Sequence, residues 1–197
     1  MGTGKLIIIS APSGSGKSTI INEIIKDESL RLSFSISATT RPIRRGEQDG
    51  VNYYFMTPEE FKAAIAADEF AEYQEVYEGR FYGTLKREIE RINAEGRNVV
   101  LDIDVLGGIN VKQMYGDHAL ALFIQPPSIE ILRHRLLSRG TDSVEEIERR
   151  VNKAEFELGY ADQYDCVVVN DVLRTAIDET HEIISRFVNA PASSSQS

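Results

Sequence analysis

The chain has 197 residues, 42% of them apolar and 27% charged, which is enough for one well-buried core with small appended units. A net charge of −9 argues against a nucleic-acid binder, which needs a positive face toward the phosphate backbone. The single cysteine, Cys166, excludes an internal disulfide framework, and no stretch nears the ~18 consecutive apolar residues of a membrane helix.

The opening "MGTGKLIIIS" has no secretory design, and Leu6 stands where a myristoylation signal needs Ser or Thr, so a cytoplasmic location is expected. "KLIIIS" (5–10) reads as a buried strand, followed by a glycine-serine loop and the helical pattern "KSTIINEIIKDE". Residues 33 to 83 change character. "SFSIS", "VNYYFM", "AEYQEVY" and "RFYG" are short, aromatic and partly alternating, and "TPEEFKAAIAADE" interrupts them with an N1 proline and a capping box. They read as a small mixed β/α insert. Beyond it, "TLKREIERINAEG" is helical and ends on Gly96. "VVLDID" (99–104) and "ALALFIQ" (119–125) are further buried strands. The helices "SIEILRHRLLSRG" and "SVEEIERRVNKAEFELGYA" follow, the second with a capping box from Ser143 to Glu146. "CVVVN" (166–170) is the last strand and "VLRTAIDETHEIISRFV" the last helix. The tail 191–197 is small and polar, with disorder expected. Apolar runs without alternation, separated by helices, predict a three-layer α/β domain around a parallel sheet.

The loop "APSGSGKST", Ala11, Pro12, Ser13, Gly14, Ser15, Gly16, Lys17, Ser18 and Thr19, fits the P-loop pattern with alanine in the first glycine position. Gly14 and Gly16 let backbone N–H groups turn inward as an anion nest, and the helix start adds its positive dipole end. Lys17 can reach β- and γ-phosphates, and Ser18 can ligate Mg²⁺. Such a loop serves GTPases, motors and small-molecule kinases alike, so it does not name the acceptor.

The acceptor must come from elsewhere. Asp102 and Asp104 sit at a strand's end, where alternation lets both face one cleft; a metal shell or the acceptor are both open to them. Arginines bunch at Arg41, Arg44 and Arg45, at Arg133, Arg135 and Arg139, and at Arg149 and Arg150. These are either solvated faces or compact phosphate sites, and composition alone does not choose. Arg41 and Arg44, beside Ser37, Thr39 and Thr40, suit a terminal phosphate. The histidines His118, His134 and His181 form no metal spacing.

The pieces "SAPSGSGKST", "SISATTRPIRRGEQDGVNYYF", "FYGT", "LDIDVLGG", "FIQPPS", "RLLSRGTDS" and "VVVND" run in one order over nearly the whole chain. In them the chain resembles the guanylate kinases, which transfer a phosphoryl group from ATP to GMP. The resemblance implies a P-loop core (1–32, 85–126 and 160–190), a GMP-binding subdomain (33–84) and a short helical lid region (127–159). It puts Arg41, Arg44, Tyr53 and Tyr82 at the GMP phosphate, and Ser37, Glu72, Thr84 and Asp104 around guanine. It places Asp102 near the metal and Arg135, Arg139 and Arg150 at the ATP phosphates, with Asn170 near adenine. Its substrates would be ATP with Mg²⁺, and GMP or dGMP. Ala11 and Thr84 depart from some members' glycine and serine.

Guanine presents N1–H and N2–H₂ on one edge, and a carboxylate such as Glu72 offers two acceptors in matching geometry. The accepting oxygen is already ionised near pH 7, so no strong general base is needed and positioning should carry the reaction. Two rivals share the fold: a phosphopeptide-binding module of the same family, against which Lys17 and Ser18 weigh, and a kinase acting on a phosphorylated sugar. Monomer and homo-oligomer are both open.

Overall fold

A computed structural model of the chain describes residues 4–140 and 143–191. In chain order the elements are β1 (Leu6–Ser10), α1 (Lys17–Ile24), β2 (Leu32–Phe34), β3 (Ala38–Thr39), β4 (Tyr54–Phe55), α2 (Pro58–Ala66), β5 (Phe70–Tyr77), β6 (Arg80–Leu85), α3 (Lys86–Ala94), β7 (Asn98–Asp102), α4 (Val105–Tyr115), β8 (Ala119–Gln125), α5 (Ile129–Arg139), α6 (Val144–Leu158), β9 (Cys166–Val169) and α7 (Leu173–Asn189).

Five strands form a parallel sheet in the order β2-β7-β1-β8-β9. The inner strands β7, β1 and β8 bury both faces, whereas the edge strand β9 alternates, with Val167 and Val169 exposed and Val168 buried. Leu6, Ile8, Val99, Leu101 and Phe123 pack under α3 and α4, through Ile89, Ile92 and Val111. Ile7, Ile9, Val100, Leu122 and Ile124 pack under α1 and α7, through Ile20, Ile24, Ala176 and Ile184. This two-sided burial explains why the strand sequences are apolar without alternating. β1 lies between β7 and β8, so the carboxyl ends of β1 and β7 open the crevice where ligands bind in such sheets.

The second sheet is mixed, with order β4-β3-β6-β5. α2 closes it, started by a complete Thr57–Glu60 capping box. Its small core is Phe61 stacked on Phe70 at 4.3 Å, with Ala38, Ala64 and Leu85. α5 and α6 pack on each other through Leu132, Leu136, Ile147, Val151 and Ala154. Ser143 caps α6 by accepting from the Glu146 amide at 3.2 Å. The Glu146 carboxylate instead pairs with Arg149 and Arg150, so only half of the expected capping box forms.

Two expectations are corrected. "SFSIS" was expected in the mixed insert, but Leu32–Phe34 pairs with β7 as an outer strand of the parallel sheet. The segment "VLGGINVKQMY" carried no helical expectation, yet it forms α4. Its paired glycines, which lower helix propensity, answer to close packing instead. A Cβ on Gly108 would lie 2.3 Å from the Tyr164 hydroxyl, and one on Gly107 2.7 Å from Glu72 Oε2. Beyond Pro191, the tail expectation falls outside the described residues.

The insert joins the core at Ile36 and at the β6–α3 junction, and Glu88 ties these points together. Glu88, 1% exposed, accepts from the Ile36 amide (3.3 Å), the Tyr54 hydroxyl (3.0 Å) and Arg91 Nε (3.0 Å). Burial pushes its carboxyl up, but Arg91, the Ile36 amide and Tyr54 outweigh that and hold it below the usual carboxylate range.

Candidate active site

β1 ends at Ser10, and the chain turns through the glycine loop before α1 begins at Lys17. Gly14 and Gly16 have φ of 95° and 88°, left-handed values that a side chain resists. Neither has room for one: a Cβ would lie 2.9 Å from Leu132 Cδ1 at Gly14, and 2.3 Å from Asn170 Nδ2 at Gly16. The loop is therefore held from behind. Asn170, buried at the end of β9, donates from Nδ2 to the Ser15 carbonyl at 2.7 Å. Arg135 Nη2 donates to the Asn170 carbonyl at 2.9 Å. Anchoring of this kind lets flexible glycines keep a fixed cradle shape.

Lys17 reaches across to Asp102 at the end of β7 and pairs with its carboxylate. Burial pushes the ammonium down to about 8, and the charges of Glu157 and Asp104 offset part of that. Around the pair opens a cavity of about 420 Å³, lined by every residue from Ala11 to Thr19, by Asp102 and Asp104, and by Arg139, Arg150, Lys153 and Glu157. Arg150 Nη1 donates to Ser13 Oγ at 2.7 Å, so α6 already touches the loop. Ser18 and Thr19 are exposed within the cavity. The site fits a hard divalent cation, since the Ser18 hydroxyl and the Asp102 carboxylate are both oxygen donors lining this cavity.

A second cavity of about 230 Å³ shares Asp102, Ile103 and Asp104 with the first, so the two are contiguous. Ser37, Tyr53, Glu72, Val76, Tyr82 and Gly83 complete its walls. Glu72 is 8% exposed and accepts from Thr84 Oγ1 at 2.8 Å. Burial, with Asp104 nearby, pushes its carboxyl up to about 7, while the Thr84 bond pulls the other way. Asp104 lies past the strand and caps α4, accepting from the Leu106 and Gly107 amides at 2.9 and 3.1 Å. With its amide nitrogen turned inward, Gln74 donates to the same carboxylate, at 3.0 Å to Oδ1. Asp104 was expected to face the cleft by strand alternation; it does so instead as a helix cap.

Arg41 is 6% exposed and its fork is filled from within the chain. Nη1 and Nη2 donate to the two Glu47 carboxylate oxygens at 2.8 Å each, and Nη1 also donates to the Pro42 carbonyl. The Tyr53 ring lies 4.9 Å away, with Tyr82 edge-on to Tyr53 at 6.0 Å. Glu47 is held down at about 2 by the Arg41 hydrogen bonds and the Arg44 amide. It stands where an arginine-bound phosphate would present two oxygens.

Ser37, Tyr53, Glu72, Tyr82 and Asp104 thus meet in one cleft, and the P-loop, Asp102, Arg139 and Arg150 in its neighbour. Thr84 stands behind Glu72. Arg41, Arg44, Arg135 and Asn170 line neither cavity: Arg44 is exposed, and Arg135 and Asn170 brace the loop. Sequence reasoning missed Glu47, Gln74, Lys153 and Glu157. For the last two a signal existed, because Arg150, Lys153 and Glu157 recur at helical spacing on one face.

A parallel sheet with a glycine loop between β1 and α1 and a second cavity beside it defines a P-loop phosphotransferase fold with room for two ligands. The guanylate kinase family model matches residues 3–187. Guanylate kinases of Bacteroides thetaiotaomicron and Porphyromonas gingivalis are 58% and 56% identical, over 95% and 93% of this chain and 91% and 98% of theirs. The crystal structure of guanylate kinase from Anaplasma phagocytophilum superposes with a TM-score of 0.75 at 30% identity, covering 96% of this chain and 89% of the other. The chain belongs to the guanylate kinase family, and so to the nucleoside monophosphate kinases.

Proposed function

We propose that the protein transfers the γ-phosphoryl group of MgATP to GMP, and to dGMP, giving ADP and GDP or dGDP. The observation that carries this reading is the contiguity of an anchored P-loop cavity with a cleft built around a buried carboxylate, Glu72. The loop amides, Lys17 and the cations Arg139 and Arg150 receive the donor phosphates. Ser18 and Asp102 hold Mg²⁺, which neutralises charge on the phosphate oxygens when bound. Glu72 accepts from guanine N1–H and N2–H₂, with Ser37, Thr84 and Asp104 about it. Arg41, Arg44, Tyr53 and Tyr82 take the GMP phosphate. Glu47 occupies the Nη1/Nη2 end of Arg41, and the incoming phosphate competes with it for the guanidinium.

Residues 33–84, apart from Ser33 and Phe34 in the core strand β2, act as the GMP-binding subdomain and 127–159 as the lid region, closing on a core of 1–32, 85–126 and 160–190. Closure brings Arg135, Arg139 and Arg150 toward the donor and excludes water, which protects ATP from hydrolysis. Asn170 lies at the adenine end. Among the described residues no helix is long and apolar enough to cross a membrane. On this reading the protein works in the cytoplasm with nucleotides as its partners and no nucleic acid.

Calorimetric titration with ATP, with and without Mg²⁺, tests the reading. The expected result is Mg²⁺-dependent binding of one ATP and independent binding of GMP. A chain that ignores ATP under both conditions is a binding module, and the kinase reading fails.

A further inference from the structure

α6 turns Arg150, Lys153 and Glu157 toward the P-loop cavity. Arg150 reaches Ser13. Lys153 Nζ lies 3.5 Å from Glu157 Oε1. A buried carboxylate in a cavity suited to polyphosphate has the wrong sign to touch the ligand. Its position makes sense if it serves a cation. Three i,i+4 pairs among the described residues, Arg91–Glu95, Arg174–Asp178 and Arg186–Glu182, have both side chains exposed, and in Arg150–Glu146 the two are about equally half-buried. The Lys153–Glu157 pair differs: Lys153 is 55% exposed but its partner only 9%. A fixed anion therefore anchors a mobile cation at the rim.

We propose that Lys153 is a further donor-phosphate residue and that Glu157 is its positioning residue. This rests on the cavity being the ATP site. Lysine has a long flexible stem, and a free one spreads its charge over a wide volume. Glu157 restricts that volume to the wall facing Lys17 and Asp104, the charged groups that sense it together with Tyr164. When the polyphosphate enters, its oxygens compete for the ammonium and Lys153 swings from carboxylate to phosphate. The side chain thus joins Arg139, Arg150 and Lys17 among the cations lining the donor cavity.

The test is steady-state kinetics of ATP and GMP on Lys153→Ala, Lys153→Arg and Glu157→Gln. For Lys153→Ala the expected change is a rise of about tenfold in KM for ATP, the scale of one charge-assisted hydrogen bond, with KM for GMP within about twofold. Lys153→Arg recovers most of the loss. Glu157→Gln keeps the shape and loosens the anchor, so KM for ATP rises about threefold and KM for GMP holds. A residue of purely structural importance would move both substrates together. Lys153→Ala with an unchanged KM for ATP, or with equal rises for ATP and GMP, overturns the proposal. If Glu157→Gln does not fold, the lysine pair of variants decides alone. Wild-type protein that binds no MgATP fails the functional reading itself; normal wild type with an unshifted Lys153→Ala fails only this inference.

Discussion

Glu72→Gln should make the protein more stable and nearly blind to GMP at the same time. Glu72 is 8% exposed, and burial lifts its carboxyl from 4.5 to about 7. At about 1.4 kcal/mol per pH unit, keeping it ionised costs the folded state about 3 kcal/mol. Glutamine has the same shape, keeps an oxygen for Thr84, and carries no charge. Thr84 already offsets part of the cost in the wild type, so a gain of about 1–3 kcal/mol is expected above pH 7. At about 2–4 °C per kcal/mol for a chain of this size, the melting temperature rises by about 2–12 °C. The sign follows from the raised folded value. Wild-type Glu72 is comfortable when protonated, below its unfolded value of 4.5, and loses that stability as pH rises toward 7. The gap between variant and wild type therefore vanishes near pH 4.5, opens between 4.5 and 7, and stays level above. Binding moves the other way. The variant's amide N–H₂ faces guanine's own donors, so GMP affinity drops by about a hundredfold, the cost of unpaired buried donors. Thermal melts at pH 4.5 and 8, with GMP calorimetry, read both effects. A variant less stable at pH 8, or one binding GMP as the wild type does, would refute the assignment of Glu72 as a strained base reader.

Other changes follow the same physics. Lys17→Ala should lower turnover by about 10²–10³-fold while calorimetry still finds GMP binding. Because the Lys17 ammonium sits at about 8, kcat/KM for ATP should fall on the alkaline side as it deprotonates, and Lys17→Arg should flatten that limb; an unchanged profile argues against Lys17 as the titrating group. Gly107→Ala puts a methyl group 2.7 Å from Glu72 Oε2, so GMP affinity should drop while a urea melt shows a cooperative fold; normal GMP affinity would mean that α4 moves aside freely. Glu88→Ala strands the Ile36 amide, the Tyr54 hydroxyl and Arg91, and urea melts should show a loss of about 3–5 kcal/mol.

The parts of this fold readable from sequence are those with strong local causes. Strands β1, β7 and β8 announce themselves because burial on two faces forces continuous apolar runs; β9 shows a similar run although, at the sheet edge, Val167 and Val169 are exposed. The caps at Thr57 and Ser143 act within one turn and are read directly. What escaped depends on distant partners. α4 looked unhelical because Gly107 and Gly108 are chosen by Glu72 and Tyr164, which lie far away in sequence. β2 is three residues long, and only its pairing with β7 assigns it to the core. At the site, the loop pattern and the arginine run stand out locally. That Glu47 fills the Arg41 fork, or that Asn170 braces the Ser15 carbonyl, appears only in three dimensions.

The central claim is that a P-loop cavity opens onto a guanine-selecting cleft. Its most direct measurement is ADP release, in a coupled assay with MgATP, across GMP, dGMP, AMP, UMP and a panel of sugar phosphates. GMP should be turned over efficiently, and dGMP also, since no residue assigned to the acceptor base or phosphate needs the ribose 2′-hydroxyl. AMP should fall at least about a hundredfold lower in kcat/KM, because its N1 lone pair faces the Glu72 carboxylate. AMP, UMP or a sugar phosphate used as well as GMP would contradict the account.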